Sequence, residues 1–310
     1  MSQTEINISI IIPVFNAEET LVELNHQIVS FMNEKGYSYE VIYVDDRSSD
    51  HSWKILTELQ KNAPNQIKII RFTENFGQHE ATICGMLHAT GKNIITMDDD
   101  LEHDVTDIEK LLRVKEKTKA KVVYGMYPND ESQRVRKILT QFYRFISKAE
   151  GANKAKGSSF RLLDANILKH LKKHEYSFVW LDEMILWYAS SPEFVDLKLN
   201  ENSKGKKSRY NLIHLIKLAV NIILHTTTIP LQLLITLGFS LSFVNFIIGT
   251  YYLLRKIFLG AQLGFTSVIV SILFTSGVIL IGIGILGIYI SRINRIVNKE
   301  PHYSVDEKKC

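Results

Sequence analysis

Three consecutive carboxylates, Asp98-Asp99-Asp100, end the apolar run Asn93-Ile94-Ile95-Thr96-Met97. That run predicts a buried strand. Side chains alternate faces along a strand, so Asp98 and Asp100 are expected on one side and Asp99 on the other. Two carboxylates projecting together repel unless a cation lies between them. Hard oxygen donors at this spacing suit Mg²⁺ or Mn²⁺, which keeps several waters and takes remaining ligands from substrate phosphates. The plain alternative is a solvated acidic turn. A second pair, Asp45-Asp46, closes another apolar run, which turns attention to the elements that place both clusters.

Residues 1–125 alternate strand and helix patterns. Strands are predicted at Ile8–Phe15, Glu40–Val44, Ile67–Phe72, Asn93–Met97 and Lys121–Tyr124. Helices are predicted at Glu18–Asn33, His51–Lys61, Gly77–Ala89 and Val105–Thr118. This order implies an α/β domain with a mostly parallel sheet, which binds ligands at the carboxyl ends of its strands. Both acidic clusters fall at such ends. Further on come a basic helical stretch around Arg134–Lys148, an aromatic helix within 176–190, one more strand at Glu193–Leu199 and a basic loop at Glu201–Arg209.

The 310 residues are 45% apolar, enough for a sizeable core, and the net charge of +4 is too mild to indicate nucleic acid. Its distribution says more. His225 apart, no side chain between Leu218 and Leu254 can carry a charge at neutral pH, and none can between Ile257 and Ser291. Each run exceeds the roughly 20 residues needed to cross a hydrocarbon core of about 30 Å. Transmembrane helices are therefore expected at Ile229–Leu254 and Phe265–Ile290, with buried helices of a soluble protein as the alternative. The expected organisation is a domain over 1–200, a basic loop and juxtamembrane interfacial helix over 201–228, a hairpin over 229–290 and a tail over 291–310.

Lys204, Lys206, Lys207, Arg209 and Lys217 precede the first run, and Arg292, Arg295, Lys299, Lys308 and Lys309 follow the second. Only Arg255 and Lys256 lie in the connection, so the positive-inside rule puts domain and tail in the cytoplasm. Met1–Asn7 is polar, unlike a signal peptide. Two cysteines, Cys84 and Cys310, offer no disulfide framework and no zinc spacing.

Several motifs in order carry a family resemblance. They are Ile11-Ile12-Pro13-Val14-Phe15-Asn16, Val44-Asp45-Asp46-Arg47-Ser48-Ser49-Asp50, Asn75-Phe76-Gly77-Gln78, Met97-Asp98-Asp99-Asp100-Leu101-Glu102, Phe160-Arg161-Leu162-Leu163-Asp164 and Ser208-Arg209-Tyr210. With the two apolar runs behind them, the chain resembles a family-2 glycosyltransferase of the GT-A fold. The branch is the one that moves a sugar from a nucleotide sugar to polyprenyl phosphate, such as dolichol-phosphate mannose synthases and bacterial undecaprenyl-phosphate glucosyltransferases.

The resemblance implies a nucleotide-sugar site at Pro13, Phe15, Asn16, Glu18, Asp45, Asp46, Asp98 and Asp99. It implies Mg²⁺ or Mn²⁺ at Asp98, Asp100 and Glu102, and acceptor phosphate at Arg161, Lys206, Lys207 and Arg209. Asp98, Asp100 and Arg161 would be catalytic. A UDP-hexose, UDP-glucose first, is the favoured donor; polyprenyl phosphate and the bilayer are the other partners, and a second copy of the chain is an open one. For the loop cations the positive-inside signal alone is an equal alternative, and for Asp50 a helix cap is the better one.

The departures are as telling as the matches. Asp99 stands where relatives commonly have a small residue, Glu102 where they have Gln, Arg47 where they have Gly, and Asp104-Val105 where they have a proline pair. Ala17 replaces an acidic residue, with Glu18 and Glu19 just beyond. Asn202-Ser203 lies where an Arg is usual, Gly205 is one place early, and Ser159 replaces an Asp. Asp182 and Glu183 are base candidates by chain order, but a phosphate monoester with a second pKa of about 6 is already ionised. No dedicated base is expected.

A processive synthase of the same fold would need more helices and a Gln-x-x-Arg-Trp motif, which is absent. A catalytically silent nucleotide-sugar-binding scaffold would be signalled by loss of Asp98 or Asp100, and both are present. A transporter would carry charge inside its spans.

Overall fold

A computed structural model describes residues 6–127, 158–171, 181–189, 191–198, 264–298 and 301–309, with single helical positions between 236 and 258. Two units separate, one comprising Met1–Arg209 with Pro301–Cys310 and the other Tyr210–Glu300.

The first unit is built on an eight-stranded sheet. Its strands are β1 (Ile8–Val14), β2 (Tyr39–Asp45), β3 (Ile67–Phe72), β4 (Asn93–Thr96), β5 (Val122–Met126), β6 (Arg161–Asp164), β7 (Glu193–Asp196) and β8 (Val305–Lys309), in the spatial order β7-β5-β6-β4-β1-β2-β3-β8. Pairing is parallel from β4 through β1 and β2 to β3, and again between β5 and β7. It is antiparallel at β4–β6, β5–β6 and β3–β8. Every residue of β1 and β2 is buried, as expected of central parallel strands covered on both faces.

The alternation of β1 sorts the two cores. Ile8, Ile10 and Ile12 face one layer, with α1 (Leu21–Lys35), α2 (Ser52–Asn62) and α4 (Asp107–Thr118). Ile11 faces the other, with α3 (Gln78–His88), α5 (Ala165–Leu171) and α6 (Leu181–Tyr188). Leu21, Leu24, Ile28, Phe31 and Met32 form the buried stripe of α1, which ends where Gly36 at φ +67 closes a left-handed cap. Gly85 lets α3 approach β1: a Cβ there would collide with the Ile11 side chain.

Several bounds differ from the sequence expectation. The fourth strand stops at Thr96, so Asp98–Asp100 lie in a bend and strand alternation does not decide where they point. The first helix starts at Leu21, because Asn16–Thr20 form the turn out of β1. The Phe160-Arg161-Leu162-Leu163 motif is a strand, and residues 305–309, expected as part of a tail, are the edge strand of the sheet.

In the second unit, α7 (Phe265–Val297) is 33 residues long, and its sequence holds no formal charge before Arg292. Among residues with described side chains, no helix is long and apolar enough to cross a membrane. Most of the first expected span, the Arg134–Lys148 stretch and all of 201–228 lie outside the described residues.

Candidate active site

The loops leaving β1, β2 and β4 share one edge of the sheet, since these strands run parallel. Among the described residues, three of the four non-glycine residues with positive φ sit in these loops: Asn16 (+53), Arg47 (+61) and Leu101 (+63). Such backbone is disfavoured for side-chain-bearing residues and concentrates at functional edges.

Asp98 is held from several sides. Its Oδ1 accepts from Gln78 Nε2 at 2.5 Å and its Oδ2 from the Ser159 hydroxyl at 2.6 Å. Its backbone N–H donates to His103 Nδ1 at 3.2 Å, which puts the neutral ring's proton on Nε2, 3.9 Å from Asp98 Oδ2. His103 is buried between the rings of Tyr127 and Phe160, with centroids at 5.2 and 5.1 Å. Burial holds its pKa below the usual imidazole value, against the pull of Asp98, Asp100 and Asp107.

Asp99 turns back to the first strand and accepts the Phe15 N–H at 3.1 Å. Burial, followed by the charges of Asp100 and Asp98, pushes its carboxyl up to about 7, although the Phe15 N–H works in the other direction. Asp100 is exposed and, among the described residues, accepts only the Glu102 N–H, at 3.0 Å. No lysine or arginine among the described residues pairs with Asp98, Asp99 or Asp100. This is an uncompensated cluster of hard oxygen donors, the chemistry that a small divalent cation satisfies. Among the described residues no three acidic, His or Cys side chains form a ready-made cage. Asp98 and Asp100 therefore suit a cation that takes further ligands from a diphosphate, and Glu102 is not gathered with them as a preformed third ligand.

The second acidic pair is buried and held by neighbouring groups. Asp45 is fully buried, its Oδ2 3.1 Å from Arg71 Nε and its Oδ1 accepting the Ser48 N–H at 3.2 Å. Asp46 accepts the N–H groups of Phe76 (2.7 Å) and Gly77 (2.8 Å), strapping the β2 loop to the start of α3. Burial raises the pKa of both.

Asn16 Oδ1 accepts from the Ser49 N–H and hydroxyl, and Glu18 Oε2 accepts from His51 N–H at 2.9 Å. Asp50 accepts from Ser52 N–H at 3.0 Å, as a residue organising the start of α2 does. Pro13 is buried in β1 opposite Val44, whereas the Phe15 ring is half exposed at the edge, open to a planar ligand.

Arg161 in β6 is buried. Its Nε donates to Thr96 Oγ1 at 3.1 Å and its Nη1 pairs with Asp182, which also accepts the Tyr124 hydroxyl at 3.0 Å. Asp182 is thereby committed to a guanidinium, not free as a base. Lys206, Lys207 and Arg209 lie outside the described residues. Sequence reasoning did not assign roles to Gln78, Ser159 or His103. The signal for Gln78 was its place in the Asn75–Gln78 motif, and that for Ser159 the missing Asp; nothing in the sequence alone tied His103 to the Asp98 amide.

Comparison with known proteins finds relatives along most of the chain. The glycosyl transferase family 2 profile covers residues 9–177. A prophage bactoprenol glucosyl transferase homolog of Escherichia coli (strain K12) is 29% identical over 305 residues, 97% of this chain and 99% of that protein. An undecaprenyl-phosphate 4-deoxy-4-formamido-L-arabinose transferase of Pectobacterium carotovorum subsp. carotovorum (strain PC1) is 30% identical over 308 residues, 97% of this chain and 93% of that protein. Among solved structures, mannosyl-3-phosphoglycerate synthase from Rubrobacter xylanophilus shares the fold, with a TM-score of 0.53, 12% identity and coverage of 70% of this chain and 72% of that one. With the profile spanning more than half of its length, the chain belongs to glycosyl transferase family 2 and is a glycosyltransferase of the GT-A fold.

Proposed function

We propose that the protein transfers a hexose, glucose from UDP-glucose first, to polyprenyl phosphate at the cytoplasmic face of a membrane, inverting the anomeric centre. The observation that carries this reading is similarity along nearly the whole chain, apolar C-terminal runs included, to relatives named for bactoprenol and undecaprenyl phosphate.

The geometry is suited to that reaction. A phosphate oxygen attacks the anomeric carbon with its lone pair, and the bond to the donor's diphosphate breaks with its electrons leaving on that diphosphate. The acceptor is ionised at neutral pH, so no proton has to be removed. Accordingly, Asp182 serves the chain by fixing Arg161. Asp98, braced by Gln78, Ser159 and the His103–amide contact, and Asp100 beside it would hold Mg²⁺ or Mn²⁺, which neutralises charge developing on the leaving diphosphate. Phe15 offers its ring to the base. Asp99 fixes the Phe15 backbone and with it that ring. Lys206, Lys207 and Arg209 would meet the lipid phosphate at the interface, where each Lys or Arg is worth about 1 kcal/mol near an anionic surface.

Incubating membranes that contain the protein with undecaprenyl phosphate and a panel of nucleotide sugars, then weighing the lipid products, tests the assignment. A hexosyl-phosphoryl lipid is expected. A product formed equally well on free polyprenol would overturn the phosphate as nucleophile.

The two apolar runs are read here as a membrane hairpin. Hydrogen bonding of β8 to β3 supports this, because it requires residues 305–309 to share a compartment with the domain and so an even number of crossings between them. Single cysteines near residues 205, 260 and 299 are expected to label from one side, the other side and the first side again. Labelling of 205 and 299 from opposite faces would sink the hairpin.

A further inference from the structure

The edge strand β8 touches more than its neighbour strand. Its backbone pairs antiparallel with β3, and the Ser304 carbonyl accepts the Thr73 N–H at 3.0 Å. From β8, Asp306 Oδ2 reaches Arg47 Nη1 at 2.6 Å, in the loop between Asp46 and Ser48. Just before β8, Tyr303 stacks on Phe72 at 4.9 Å, and Phe72 meets Phe76 edge-on at 5.6 Å. His302 Nδ1 lies 3.4 Å from Glu80 on α3.

Arg47 is an unexpected residue to find there. Its φ of +61 disfavours any side chain beyond Cα, yet the position carries a long one. The ion pair it makes is 43% and 44% exposed, a setting in which such pairs add little to stability. What the pair does fix is geometry. The Arg47 loop is strapped through Asp46 to Phe76 and Gly77, and the next residue, Gln78, holds Asp98. Residues 301–309 thus grip both loops that frame the carboxylate cluster.

We propose that the C-terminal segment Pro301–Lys309 is a positioning element of the donor site, acting through the Asp306–Arg47 pair and the Tyr303–Phe72 stack. The inference rests on the reading that nucleotide sugar binds at this sheet edge. The segment follows α7 by three residues in the chain, so the same stretch that closes the sheet also orders the loops for the donor.

The test uses the full-length protein in detergent, with donor KM, kcat, UDP affinity by calorimetry and melting temperature measured together. Asp306→Ala is expected to raise donor KM and weaken UDP binding about threefold to fivefold, with kcat within about twofold and an unchanged melting temperature. Lys308→Ala, on the same strand but making no described side-chain contact, is expected to match the wild type. The swap Arg47→Asp with Asp306→Arg restores donor affinity if the pair acts by position, and Asp tolerates the left-handed backbone at 47. Wild-type donor affinity in Asp306→Ala, beside weakened affinity in Asp46→Asn, would overturn the tail's role. A swap that fails to restore affinity would do the same. Wild-type UDP affinity in Asp46→Asn would instead remove the donor from this edge, and the underlying reading would fall first.

Discussion

Asp100→Ala is expected to lower sugar transfer by at least about 10²-fold while leaving the melting temperature unchanged. Loss of one group that stabilises charge on a leaving group costs about 10²–10³ in rate. The fold has little at stake in Asp100, which is exposed and makes one local hydrogen bond to the Glu102 N–H. Chelation of divalent cations should reproduce the loss in the wild type, and added Mg²⁺ or Mn²⁺ should reverse it. Full turnover in EDTA, or in Asp100→Ala, would remove the cation from the site. Asp99→Ala is a contrasting case. Its carboxylate serves the Phe15 backbone, so the effect should appear in donor KM, not confined to kcat as for a group acting on the leaving diphosphate alone.

How much of this was legible in the sequence differs by level. The βα order of the first 125 residues and the position of both acidic clusters at strand ends were legible, because apolar runs and turn residues report local structure directly. The role of each carboxylate was not. Asp45 and Asp46 look like ligand groups in sequence but are engaged by Arg71, Ser48, Phe76 and Gly77, partners 3 to 31 positions away. Asp98 and Asp100 were expected to project together from a strand, whereas the strand ends at Thr96 and a bend with Leu101 at φ +63 sets their direction. His103 and Ser159 are single residues whose contacts with Asp98 exist only after folding. The edge strand β8 was hidden for a different reason: Val305-Asp306-Glu307-Lys308-Lys309 is mostly charged, as edge strands often are, and carries no alternating apolar pattern.

Glu40 carries the largest expected effect on stability, and it lies away from the carboxylate edge. It is fully buried in β2 opposite Ser9 in the register. Its Oε1 accepts from the Ser9 hydroxyl (2.5 Å), the Thr90 N–H (2.7 Å) and the Thr90 hydroxyl (2.8 Å), and its Oε2 meets Lys68 Nζ at 2.6 Å. One side chain thus joins β1, β3 and the turn between α3 and β4. Glu40→Ala would strand three donors and a half-buried ammonium, and breaking a buried pair from one side costs about 3–5 kcal/mol. For a domain of this size that is a fall in melting temperature of roughly 10 °C. Acid should act on the same group. Burial pushes the Glu40 carboxyl up, but Lys68, Ser9 and Thr90 together outweigh it and hold the folded-state value below the ordinary one. A depressed folded value means that the group's contribution is present above the unfolded pKa of about 4.3 and fades as pH falls through the folded value beneath it. Glu40→Gln, which keeps the shape and cannot ionise, should therefore be less stable than wild type at neutral pH and lose less as pH falls below the unfolded value of about 4.3. Parallel melting curves of the two proteins across that window decide the matter: a constant gap between them would mean that the Glu40 charge does not stabilise the fold.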